Sequence, residues 1–175
     1  MTSLRYLELH PGLDAYTGGA MRESLRHIVG VQFRNVATVG GSIFGRFGFS
    51  DVLTMFLALD SYVELYKGGI VSMDQFAAME RDNDILVRVI VKKIPLSVAY
   101  LSHRNTKTDF PVIACAVAQT DQGVKAVIGA RPYKACIVWD NDDILKEGIS
   151  LKSAKAFGEY VAHHVKTGSN MRGSK

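Results

Sequence analysis

Apolar positions along this chain fall into short blocks of differing period, and each block predicts an element. Met21, Leu25, Ile28 and Val29 fall on one face at helical spacing behind a capping Thr17, predicting an amphipathic helix over about 17–30. Phe33 to Val39 reads as a short strand or extended run into Gly40-Gly41, and 41–49, with Gly45 and Gly48, as loop. Residues 51–59 are apolar nearly all round, which predicts a short, fully buried helix. Tyr62 to Tyr66 alternates like a strand, Lys67-Gly68-Gly69 turns it back, and Met73 to Met79 makes a helical turn. Ile85 to Val91 is the strongest strand signal.

Beyond Pro95, three more strands are predicted at 96–101, 112–118 and 124–128, the last two joined by a Thr120-Asp121-Gln122-Gly123 turn. A helix follows over 150–165, with Leu151, Ala154, Phe157, Val161 and Val165 on one face, and Lys166 to Lys175 reads as a polar tail. The fold class is therefore α+β in two small units. The first spans 1–94. The second spans 95–175 and carries a three-stranded antiparallel sheet with a helix.

Length and composition fit this picture. The chain has 175 residues, 47% of them hydrophobic and 22% charged, ordinary values for one globular domain or two small ones. No apolar run approaches the roughly 20 residues that span a bilayer, and the N-terminus lacks a signal-peptide layout, so a cytoplasmic protein with no membrane contact is expected. The net charge is +4, but the Lys and Arg are scattered and not interleaved with aromatics, which argues against a nucleic-acid partner. Cys115 and Cys136 are 21 residues apart and outside any CxxC pair, so they read as buried, inert thiols, and the chain holds no iron–sulfur cluster of its own.

The chemistry concentrates at Ala37-Thr38-Val39-Gly40-Gly41-Ser42 and at Ser50-Asp51. A Gly pair lets backbone approach a ligand closely, and Ser50-Asp51 sets a hydroxyl and a carboxylate at a helix start. This suits phosphate or ribityl hydroxyls. The plainer alternative is a strand-end turn followed by a helix-start charge. A phosphate loop does not fit, because Gly45 is followed by Arg46-Phe47 instead of Lys-Ser/Thr, and the glycines lack the G-x-G-x-x-G spacing. His163 and His164 are adjacent on a helix and point about 100° apart, a poor metal pair. His103 stands near Arg104 with nothing that makes it a general base, and no carboxylate pair or nucleophile triad stands out.

Six stretches in order resemble one family, the FAD-binding subunits of molybdenum hydroxylases of the xanthine dehydrogenase and carbon monoxide dehydrogenase type. Residues 2–11 resemble the entry to the second FAD subdomain. Arg34-Asn35-Val36-Ala37-Thr38-Val39-Gly40-Gly41 is similar to the RN-A-T-x-G-G-N signature. Ser50-Asp51 with Leu57-Ala58-Leu59-Asp60 resembles the SD…LLALDA pattern. Asp84 to Val87 with Ile94-Pro95, Arg104 with Asp109-Phe110-Pro111-Val112, and Met171 to Ser174 resemble later family segments.

The resemblance implies FAD as cofactor, bound between two subdomains. It implies that Ala37, Thr38, Val39, Gly40, Gly41, Ser42 and Ser50 line the flavin. It further implies that Asp51 accepts hydrogen bonds from the ribityl or isoalloxazine side, that Leu86 touches the ring, and that Ile28 stands on the nicotinamide-facing side. It implies two partner chains, a molybdopterin-binding large subunit and a 2Fe-2S small subunit, with electrons leaving to NAD or another acceptor. Ser42 stands where the family carries Asn, and Ile28 where it often carries an aromatic. The family's first subdomain, with its A-G-G-T-D pyrophosphate loop, has no counterpart in this sequence. A second reading is therefore a docking or scaffold fragment that binds partner subunits without holding flavin.

Overall fold

A computed structural model describes residues 1–130 and 133–174; Lys175, the end of the polar tail, lies outside them. The chain opens with five short helices: α1 (Leu4–Glu8), α2 (Pro11–Tyr16), α3 (Ala20–Arg26), α4 (Val31–Val36) and α5 (Val39–Phe44). The buried helix α6 (Asp51–Ala58) follows, then β1 (Ser61–Leu65), β2 (Gly69–Ser72), α7 (Met73–Ala78) and β3 (Leu86–Val91). The remainder is β4 (Ser97–His103), β5 (Ile113–Thr120), β6 (Gly123–Gly129), β7 (Cys136–Trp139) and α8 (Leu151–His164).

Two antiparallel sheets result, ordered β2-β1-β3 and β4-β5-β6-β7. The second is a meander in which alternation decides which face each residue serves. Ala114, Ala116 and Ala118 of β5 and Val127 of β6 join the main core, whereas Val124, Ala126 and Ile128 face a smaller core built on Phe157 and Val161 of α8. The small β5 side chains leave room for α6, whose residues 51–58 are all buried. Contact is closest at Gly129, where an added Cβ would come 2.3 Å from Thr54 Oγ1 and 3.0 Å from the Gly48 carbonyl. The main core draws on both sheets, with Val63 and Leu65 from one and Tyr100 and Val127 from the other.

The α+β class holds, and so does the fully buried helix at α6, but four local expectations are corrected. The helix expected over 17–30 is α3 alone: it starts after a left-handed Gly19, not at a Thr17 cap, and ends at Arg26, ahead of a turn in which Val29 takes a left-handed φ of 49°. The run expected as a strand or extended segment at 33–39 is helical over 33–36 and again from Val39; only Ala37 and Thr38 between them are extended. The apolar residues Val31, Phe33 and Val36 of α4 are all exposed, and Arg34 is the residue turned inward. The Gly pair does not end a strand; it lies in the first turn of α5, where Thr38 caps by accepting from the Gly41 N–H at 3.1 Å. The second sheet has a fourth strand, β7, where Cys136–Trp139 is too short a run to have shown alternation. Cys115 and Cys136 are free thiols and half-buried; burial pushes both thiols up.

Candidate flavin site

The implied site residues separate into two hollows, both of which draw on α5. Thr38, Val39, Gly40, Gly41 and Leu86 line a hollow of about 630 Å³, together with Thr2 and the β3 edge. Ile28, Ser42, Ser50 and Asp51 line another of about 220 Å³, together with Phe33, Phe49, Arg104 and Phe110. Ala37 lines neither; its carbonyl accepts from Leu4 N–H and its N–H donates to the Phe33 carbonyl, both at 2.8 Å. The first volume lies in the usual range for small-molecule sites, roughly 300–1,000 Å³, and the second below it. A third hollow of about 880 Å³, with Arg46, Arg81, Lys134 and Lys166 on its walls, contains none of the implied residues. It shares Phe47 and Phe49 with the Asp51 hollow.

The hydroxyls expected to face a ligand are engaged within the chain. Ser42 Oγ donates to the Thr38 carbonyl at 3.0 Å. Ser50 Oγ donates to the Ser42 carbonyl at 2.9 Å and accepts from Leu53 N–H at 3.1 Å, which caps α6 and ties it to α5. Gly40 is different. An added Cβ there meets nothing within 4 Å, so its missing side chain opens onto the larger hollow. At Gly41 a Cβ would come 3.0 Å from Thr38 Oγ1, so that glycine protects the cap.

Asp51 sits at the start of α6 with 5% exposure, and its Oδ1 accepts from both Tyr100 Oη and Arg104 Nη2 at 2.5 Å. Burial raises the Tyr100 phenol far above its ordinary range and the Asp51 charge raises it further, so Tyr100 remains a donor. Arg104 continues the network through Nη1 to the Asp109 carbonyl, while its Nε–H is buried without a partner. Asp109 pairs with Arg172 at 3.2 Å, and that bond holds its carboxyl below the usual range. Phe47, Phe49 and Phe110 form an aromatic cluster at the mouth, with ring centroids 5.0 and 4.5 Å apart for successive pairs.

Sequence reasoning gave no role to Tyr100, nor to Arg104 and Asp109, although the latter two stood in a family-like stretch. The available signal was a charged pair flanking the end of an apolar strand, with Pro111 closing the loop. Among the described residues no group of three or more His, Cys, Asp or Glu could hold a metal ion, and no helix is long and apolar enough to cross a membrane.

An FAD molecule has a demanding donor and shape list, and two observations fit it. Gly40 leaves room for backbone contact on one side of α5, and the orphaned Arg104 Nε–H supplies a buried donor on the other. Residues 2–96 match the family described as the FAD binding domain in molybdopterin dehydrogenase, and the chain belongs to that family. Its cofactor is FAD.

The chain is 29% identical over 168 residues to the uncharacterized protein YgfM of Escherichia coli K12, covering 95% of this chain and 62% of that one. Its structure is similar to a chain of carbon monoxide dehydrogenase from Hydrogenophaga pseudoflava (TM-score 0.86, 19% identity). It is also similar to a chain of quinoline 2-oxidoreductase from Pseudomonas putida 86 (TM-score 0.80, 18% identity). In both cases 99% of this chain and 66% of the other are covered. The chain thus spans just under two thirds of the relatives it matches.

Proposed function

We propose that this chain is the FAD-binding electron-transfer part of a molybdenum hydroxylase of the xanthine dehydrogenase type. It would work beside a molybdopterin-binding large subunit, where substrate is oxidised, and a 2Fe-2S small subunit, in the cytoplasm. The family match over residues 2–96 carries the reading. When bound, FAD supplies the redox chemistry between the iron–sulfur centres and NAD or another acceptor. The protein's own task is to bind, orient and shield.

In this reading Thr38, Val39, Gly40, Gly41 and Leu86 form one wall, and Ile28, Ser42, Ser50 and Asp51 the other. Asp51 is held in place by Tyr100 and Arg104, so its orientation is fixed before any ligand arrives. Ala37 contributes by anchoring the chain ahead of Thr38. The phenyl rings of Phe49 and Phe110 would flank a ligand in the smaller hollow.

A visible spectrum and FAD titration of the purified chain test this. Saturable binding with flavin absorbance is expected. A folded chain that shows no flavin at saturating FAD would favour the second reading, a docking fragment. The separation of the implied residues into two hollows is the observation on that side.

A further inference from the structure

Helix α4 offers one residue that the sequence reading left without a role. Arg34 is 4% exposed, and its guanidinium forks onto Glu8, with Nε to Oε2 at 2.8 Å and Nη2 to Oε1 at 3.4 Å. Arg5 Nη1 reaches the same oxygen, Oε2, at 3.0 Å. The remaining nitrogen of Arg34, Nη1, donates to the Ile28 carbonyl at 2.9 Å, while the Arg34 backbone N–H donates to the Gly30 carbonyl at 3.0 Å. One residue thus grips the chain on both sides of Val29.

Val29 is where a grip is needed. Its φ is 49°, a left-handed value that β-branched residues rarely adopt, and it is the only β-branched residue in that region among those described. Burial does not force it there, since Val29 is 47% exposed. Gly30, which would tolerate such a φ freely, has −131° instead. The strained residue also lies at the site: Ile28, Val29 and Phe33 all line the Asp51 hollow. Strain persists where surrounding bonds over-determine it.

We propose that Arg34 is a positioning residue for the flavin site: anchored on Glu8, it fixes the Ile28–Val29 rim over the Asp51 hollow. This rests on the flavin reading given above. The variant that separates positioning from simple ion pairing is Arg34→Lys, which keeps a cation for Glu8 but has one nitrogen and cannot fork onto Glu8 while holding the Ile28 carbonyl.

Amide hydrogen exchange on the flavin-free chain tests the grip, and FAD titration tests its purpose. In Arg34→Lys, exchange at the Ile28 amide, which donates to the Leu25 carbonyl, and at the residue-34 amide, which donates to the Gly30 carbonyl, should rise about tenfold or more while α6 amides stay protected. FAD affinity should fall about tenfold, with the melting temperature little changed. Unchanged exchange at the amides of residues 28 and 34, or a uniform rise over the whole chain, would overturn the grip. Localised loosening with unchanged FAD affinity would overturn the positioning role. If the unsubstituted chain binds no FAD at all, the flavin reading fails by itself, and the exchange result still decides whether Arg34 holds the rim.

Discussion

Arg104 and Asp51 stand 53 positions apart in the chain and meet at 2.5 Å, with side chains only 7% and 6% exposed. A charge pair so far from water depends on both partners. Arg104→Ala would leave Asp51 buried with only the Tyr100 hydroxyl on Oδ1, and should cost about 3–5 kcal/mol in urea unfolding. The double variant Asp51→Asn, Arg104→Gln should recover part of that loss, because no uncompensated charge remains. A cost under about 1 kcal/mol for Arg104→Ala would mean that water screens the pair.

Acid should weaken the fold partly through Glu8. Burial raises its carboxyl, but the bonds from Arg34 and Arg5 outweigh this and hold it below its ordinary value. A depressed folded pKa contributes stability that is complete above the unfolded pKa of about 4.3 and is lost as the pH falls through the folded value. Glu8→Gln should therefore be much less stable than the parent at pH 7, by about 3–5 kcal/mol, since Arg34 is left buried without its counter-charge. Melting curves from pH 7 to pH 3 should converge at the acid end. Parallel curves would remove Glu8 from the acid transition.

Elements carried by their own periodicity were legible in the sequence, and those decided by distant contacts were not. The all-round apolar run of α6 could only be a buried helix. The alternation in β1 and the Gly123 turn between β5 and β6 likewise read directly. Helix α4 misled because its apolar residues are the exposed ones and its inward residue is an arginine whose partner, Glu8, lies 26 positions away. The site divided in the same way. Gly40, Gly41 and Asp51 stood out through residue type and the family pattern. Tyr100, Arg104 and Asp109 acquire meaning only when β4 and its following loop are folded against the start of α6.

Gly129 marks the tightest approach of the second sheet to α6. An added Cβ would overlap Thr54 Oγ1, and the Gly48 carbonyl behind it is backbone that cannot rotate away. Gly129→Ala should destabilise by roughly 1–3 kcal/mol through overpacking. Pairing it with Thr54→Ala removes the nearer clash and should restore part of the loss, which a two-by-two set of chemical denaturations measures. Full additivity of the two changes would mean that the contact is not shared.

Gly40 separates ligand binding from stability most cleanly. A side chain there meets nothing within 4 Å, and it replaces a glycine inside a helix, so Gly40→Ala should leave the free protein as stable or about 0.5–1 kcal/mol more stable. Gly40→Leu should also fold, but would project four carbons into the 630 Å³ hollow shared with Leu86. If that hollow takes part of the flavin, Gly40→Leu should weaken FAD binding about tenfold or more while Gly40→Ala weakens it less, an ordering set by steric exclusion. The comparison is a pair of FAD titrations beside a pair of thermal melts. Equal FAD affinity in all three proteins, each folded, would place the cofactor elsewhere and leave the Gly pair as a device for capping α5 alone.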